Sequence, residues 1–205
     1  MSKKRLSFKT AAIVLLLLCA LGGLVLWSVQ APRAPAGPLA GAQIGGPFTL
    51  IDQDGRTVTE KDFGGRYKLV YFGYTFCPDV CPLDVQKLAT AMRTFEKQDS
   101  ARAAKVVPIF ITVDPERDTT AALKDFVSAF HPRLVGLGGS VAQVDAAKKA
   151  YRVYAKKAGP EGSADYLVDH TAMIYLMGPD GAPISFTDHT GTADQIAADL
   201  DKYVR

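Results

Sequence analysis

Three observations predict an α/β fold behind one N-terminal membrane helix. From about residue 48 onward, β-branched and aromatic runs alternate with segments of helical periodicity. Residues 11–29 form a single uncharged apolar run, and a stretch rich in proline and alanine separates the two regions. Setting the apolar N-terminal region aside leaves roughly 160 residues, about the size of one domain with its own hydrophobic core.

The apolar run, AAIVLLLLCALGGLVLWSV, covers 19 residues. At ~1.5 Å per residue it is long enough to cross a ~30 Å hydrocarbon core. Lys3, Lys4, Arg5 and Lys9 precede it, so residues 1–10 stay on the cytoplasmic side and the domain faces outward. A cleaved signal peptide would carry a shorter apolar core, about 7 to 15 residues, and a small-residue cleavage site. Ala31-Pro32 and Ala34-Pro35 fit such a site poorly because proline follows each small residue, and the bulky Leu18 ahead of Cys19 argues against lipid attachment. Cys19 itself reads as a small membrane-facing residue. Residues 30–42, QAPRAPAGPLAGA, read as an extended tether of ~3.1 Å per residue. The tether would keep the domain, residues 43–205, near the bilayer.

The formal charge of +3 hides an asymmetry. Lys3, Lys4, Arg5, Lys9 and Arg33 lie in the first 33 residues, which hold no acid, and this leaves 19 basic residues against 21 acids in the rest. That balance, without a clustered basic stripe, excludes a nucleic-acid surface from the expected functions.

The body opens with FTLIDQDGRTVT, two short alternating runs around Asp-Gly, a hairpin signal. Tyr67 to Phe76 is a continuous aromatic and β-branched run, expected of a central strand covered on both faces. Val85, Leu88, Met92 and Phe95 recur at helical spacing, predicting a helix from Pro82 to about Gln98. Lys105 to Asp114 reads as a second buried strand, although Pro108 argues for an edge or a bulge. Thr119 to Phe130 reads as a helix, Arg133 to Leu137 as a short strand, and Ser140 to Tyr151 as a helix opened by a serine cap. A hairpin of Ala172 to Met177 with Pro183 to Thr187 turns at Gly-Pro-Asp-Gly, and Thr192 to Val204 closes the chain as a helix. This order predicts a thioredoxin-like sheet, in its peroxiredoxin-like variant with an N-terminal hairpin extension.

Cys77 and Cys81 sit between the central strand and the first long helix, where the positive end of a helix dipole favours thiolate. A thiolate serves both as redox nucleophile and as soft ligand, so location alone leaves both chemistries open. Three residues separate these cysteines, whereas the redox motif near a βαβ pattern has two. A plain stabilising disulfide is the simplest alternative, but so small a loop would add little by chain entropy. Of the three histidines, His131 and His189 read as a helix-end residue and a surface-loop residue. His170 stands beside Asp169 at the head of an apolar strand, at a sheet end where the cysteine loop also belongs. Two thiolates and an imidazole suit Cu(I), accept Cu(II), and with a water would also suit zinc. Asp79 and Asp169 are candidates for orienting such ligands or adding an oxygen.

Three segments, YFGYTFCPDVCP (71–82), ITVDPERDT (111–119) and VDHTAMIYLMGPDG (168–181), together resemble the Sco/SenC family of copper-handling proteins. The resemblance covers the body from about Ile44 to the C-terminus. It implies a thioredoxin-like domain tethered by a membrane helix and holding one copper through the residues matching Cys77, Cys81 and His170. In the middle segment Asp114, Pro115 and Arg117 are read as supporting rather than chemical. The resemblance also implies help in assembling cytochrome c oxidase, either by delivering copper to its dinuclear CuA centre or by reducing that centre's cysteines. The expected partners are the oxidase's copper-bearing subunit and a copper donor. The short basic start places the chain in a bacterial inner membrane with its domain in the periplasm, because a mitochondrial form should carry a longer presequence rich in Arg and Ser. A metallochaperone is therefore expected rather than an enzyme. The alternatives are a thiol-disulfide oxidoreductase using Cys77 and Cys81, a peroxidase, and a copper or redox sensor.

Overall fold

The computed structural model describes residues 13–19, 22, 36–159 and 165–205. The chain divides into two compact units, Met1–Ala34 and Pro35–Arg205. In the first, residues 13–19 are helical. Among the described residues no helix is long and apolar enough to cross a membrane, and most of the expected span 11–29 lies outside them. In the second unit, residues 38–41 of the expected tether form a turn instead of running extended. Leu39 packs against the core there, and its N–H donates to the Ile184 carbonyl at 3.0 Å.

The N-terminal hairpin forms as expected, with β1 (Thr49–Asp52) antiparallel to β2 (Thr57–Thr59) around the Asp54-Gly55 turn. Next come β3 (Tyr67–Gly73), α1 (Val80–Gln98), the short α2 (Ser100–Ala103) and β4 (Val106–Thr112). They are followed by α3 (Thr120–Phe130), β5 (Val135–Gly138) and α4 (Val141–Ala150). A hairpin of β6 (Ala155–Ala158) and β7 (Leu167–His170) precedes β8 (Met173–Met177), β9 (Pro183–Asp188) and α5 (Ala193–Tyr203). The main sheet has seven strands in the order β2-β1-β5-β4-β3-β8-β9, with β3, β4 and β5 mutually parallel and the flanking pairs antiparallel.

Every residue of β3 is buried, because helices cover both faces of its neighbourhood. Successive side chains on a strand point to opposite faces. Tyr71 accordingly reaches Asp84 on α1, while Phe72 meets Tyr151 at the end of α4 with ring centroids 5.3 Å apart. Each fully buried large apolar side chain is worth roughly 1.5–3 kcal/mol relative to exposure, against about 0–1 kcal/mol for an exposed ion pair. The aromatic core of β3 therefore outweighs the surface charge pairs in holding the layers together. Helix starts follow their caps: Thr119 Oγ1 accepts from the Ala122 N–H at 3.2 Å, and Ser140–Gln143 and Thr192–Gln195 form reciprocal capping boxes.

Pro108 lies on β4, the middle strand of the sheet, and not on an edge. The ladder to β5 begins only at Ile109, so on that flank Pro108 faces no strand to which an N–H would donate. The β6–β7 hairpin was not expected. Its first strand, AKKA, has low β propensity, and the pair forms a separate two-stranded sheet outside the main one.

His131 caps α3, but as a buried imidazole and not as the cation expected at a helix end. Its Nδ1 accepts from the Arg133 N–H at 3.2 Å, and Nε2 faces Glu96 at 3.4 Å. Burial holds its pKa below the ordinary 6.5, against the opposing pull of Glu96. The unfolded chain therefore takes the proton first. The stabilisation is complete above the ordinary value of 6.5 and is lost as pH falls through it toward the folded value. Moving from about pH 7.5 to about pH 5.5 should lower the urea midpoint more in the wild type than in His131→Gln, since the unfolding slope with pH follows the difference in bound protons. Equal drops in the two proteins would contradict a neutral buried His131.

Candidate metal centre

At the end of β3, Gly73 leaves room that no other residue would. A Cβ there would lie 2.8 Å from the Tyr71 ring, 3.1 Å from Cys81 Sγ and 3.1 Å from the Phe110 ring. The chain then turns, with the Cys77 N–H donating to the Tyr74 carbonyl at 3.3 Å, and enters α1 two residues earlier than the periodicity indicates. Cys81 thus sits inside the first helical turn.

The first N–H groups of a helix have no partner within it. Asp79 occupies the cap position without a side-chain bond, and the Cys77 sulfur instead accepts the Cys81 N–H at 3.4 Å. Burial alone would raise the Cys77 pKa. The N–H groups of Asp79 and Cys81, with the Cys81 thiol and Tyr74 hydroxyl, more than offset this and hold it below an ordinary thiol. Cys81 is completely buried, and burial pushes its thiol up, although the Tyr74 N–H points at its sulfur. The pair is asymmetric: a half-buried, acidic Cys77 and a buried, protonated Cys81.

The second half of the site comes from β7. The His170 ring is held edge-on by Tyr71 and Tyr74, at centroid distances of 6.2 and 6.0 Å and angles of 81° and 87°. Its Nδ1 lies 3.1 Å from the Thr171 carbonyl. A carbonyl only accepts, so Nδ1 carries the proton and Nε2 presents its lone pair. That nitrogen is 3.2 Å from Cys81 Sγ, so it is a second acceptor for the one S–H that can otherwise donate to Cys77. Burial keeps the His170 pKa low, opposed by the Thr171 carbonyl and the charges of Asp84 and Asp169.

The three expected ligands therefore form a chain of contacts, Cys77 to Cys81 to His170. They do not close into a cage: among the described residues, no group of three or more His, Cys, Asp or Glu is arranged to hold a metal ion. The donor chemistry fits a soft monovalent ion, with two sulfurs four residues apart at the start of α1 and a neutral imidazole presenting a lone pair. Closing the set requires the Cys77 sulfur to leave the helix N–H and turn toward the other two donors.

Asp79 and Asp169 line an open depression of about 380 Å³ with Tyr74, Cys77 and His170. The Asp79 backbone N–H, and not its carboxylate, reaches Cys77. His189, read from sequence as a surface-loop residue, also lines this depression. His131 caps α3, and Cys19 belongs to the N-terminal unit. Sequence reasoning missed the residues beneath the site. Asp84 is buried one turn after Cys81, accepts the Tyr71 hydroxyl at 3.3 Å and pairs with Lys87 at 3.0 Å. Lys87 in turn donates to the His189 carbonyl at 2.6 Å, tying the loop after β9 to α1. The signal was available: Asp84 lies three residues after Cys81, on the same helical face.

Comparison with known proteins identifies the family. The family model described as SCO1/SenC matches residues 36–205. The mitochondrial SCO1 homolog 1 of Arabidopsis thaliana is 44% identical over 170 residues, covering 82% of this chain and 50% of that protein. The chain thus spans about half the length of that curated relative. The copper-bound structure of ScoI from Bradyrhizobium japonicum aligns with a TM-score of 0.70 at 47% identity, covering 78% of this chain and 99% of that one. The structure of BsSco, described as a member of the Sco family of cytochrome c oxidase assembly proteins with a disulfide switch, aligns with a TM-score of 0.62 at 26% identity. It covers 83% of this chain and 97% of that one. With its thioredoxin-like α/β body and its paired cysteines, the chain belongs to the SCO1/SenC family.

Proposed function

We propose that this chain is a membrane-anchored copper carrier that holds one copper ion through Cys77, Cys81 and His170 and delivers it to the dinuclear CuA centre of cytochrome c oxidase. The observation that supports this reading is the 3.2 Å approach of His170 Nε2 to Cys81 Sγ, with the Cys77 sulfur held one helical turn away on the Cys81 N–H at 3.4 Å. Cu(I) takes the place of the Cys81 thiol proton, which leaves to solvent, and is then shared by two thiolates and the imidazole. The half-buried Cys77 at the open depression is the ligand a partner thiolate would displace first. Asp79 and Asp169, at the rim of that depression, orient the ligands or the incoming ion. In this reading residues 11–29 anchor the chain in a bacterial inner membrane, the part of the 30–42 segment ahead of the turn at 38–41 tethers it, and the domain works in the periplasm beside a copper donor and the oxidase subunit.

The asymmetry of the thiols favours one second reading, a thiol-disulfide oxidoreductase acting on the cysteines of the same centre. The Cys77 thiolate would attack a partner disulfide, and the released sulfur would take a proton. Cys81 would then displace the partner's second thiol and leave a Cys77–Cys81 disulfide here.

A Cu(I) titration of the reduced domain against a competing chelator separates the two. One copper should be held per chain. His170→Ala should weaken retention by more than the roughly 10- to 100-fold cost of losing a supporting residue, while alkylation of Cys77 proceeds unchanged. Cys77→Ser and Cys81→Ser should each abolish stoichiometric binding, and a single variant that still holds one copper would reject the two-thiolate site. No copper above background, with a readily cycled disulfide, would establish the redox reading.

A further inference from the structure

The hairpin that carries His170 is not part of the main sheet. A two-stranded hairpin is marginal alone, so the reach of Nε2 to Cys81 depends on whatever fixes β7 to the body. The 114–118 segment, after β4, makes that connection from two sides.

Asp114 is buried. Its Oδ1 accepts the Tyr166 hydroxyl at 2.7 Å and its Oδ2 accepts Arg117 Nε at 2.5 Å. Arg117 Nη1 donates to the Tyr166 carbonyl at 2.9 Å, and the guanidinium lies 3.6 Å from the centroid of the Tyr166 ring. The residue immediately before β7 is therefore gripped by hydroxyl, carbonyl and ring face. Lys157 on β6 also approaches that ring, 4.5 Å from its centroid, while paired with Glu116 at 2.6 Å. Val168, inside β7, donates its N–H to the Tyr74 hydroxyl at 3.2 Å. The same segment holds the cysteine side. Buried Asp118 accepts the Thr75 N–H at 3.0 Å and the Thr75 hydroxyl at 2.7 Å, two residues before Cys77.

We infer that Asp114 and Arg117 are positioning residues that set His170 against Cys81 by gripping Tyr166, with Asp118 fixing the facing cysteine turn. One five-residue segment thus brackets both halves of the donor set. Side chains read from sequence as mere support set the ligand separation. The inference rests on the copper-carrier reading, but its first readout needs no metal.

The test compares wild type, Arg117→Ala and the milder Tyr166→Phe, which removes one hydroxyl and serves if the first variant unfolds. In the metal-free, reduced protein, the ring ¹⁵N signals of His170 should shift and broaden in both variants, and amide exchange of residues 167–171 should accelerate. Unchanged His170 signals and exchange would overturn the inference whatever the metal data show. Copper affinity measured by chelator competition should then fall roughly 10- to 100-fold in Arg117→Ala. It should fall no further when Arg117→Ala is added to His170→Ala, because the two act through one contact. A full additional loss in the His170→Ala background would mean that Arg117 acts through the cysteine loop, and would also overturn the inference. Failure of the ligand reading would look different: His170→Ala alone would then leave copper retention intact.

Discussion

The approach of Cys81 to His170 across 89 residues of sequence is the contact on which the rest of this architecture depends. One partner is fixed by a fully buried central strand, β3, which ends at Gly73 and feeds α1. The other rides on a small hairpin with little core of its own. Gly73 admits Cys81 to the base of the site, Tyr71 and Tyr74 set the tilt of the imidazole, and the Thr171 carbonyl selects the tautomer that turns a lone pair toward the sulfur. Each of these residues serves a geometry that neither the sheet nor the helix alone requires.

Electrostatics follow from the same placement. The two thiols differ by only four positions in sequence, yet burial raises one while helix N–H groups hold the other down. An acidic thiol at an open rim exchanges partners easily, and a buried one parts with its proton only when something replaces it. Delivery of a soft ion and thiol exchange both draw on that difference. On the proposed reading the ligand set and the redox pair share both cysteines, so separating the two functions means probing His170, the one ligand that thiol exchange does not require.

Much of this was legible in the sequence. The hairpin around Asp54-Gly55, the buried run Tyr67–Gly73, the capped helices and the Gly-Pro-Asp-Gly turn all follow local rules that tertiary context did not override. The cysteines were placed at the strand-helix junction because a strand pattern changes to a helix pattern there. Other features were hidden for physical reasons. The strand AKKA carries no hydrophobic alternation, and its partner β7 bonds to Tyr74, a contact that sequence periodicity does not signal. Pro108 misled because an absent N–H matters only where a neighbouring strand would receive it. Asp84, Asp118 and Tyr166 are ordinary polar residues in sequence, and only the fold reveals that they meet the turn and the hairpin around the site.

The central claim is that two sulfurs and one imidazole share a single copper. Copper-edge X-ray absorption on the loaded, reduced protein tests it most directly, because it counts the scatterers around the metal. The account predicts two sulfur neighbours and one imidazole nitrogen, with the imidazole signature absent in His170→Ala. A spectrum with sulfur neighbours only, or one unchanged by that substitution, would contradict it.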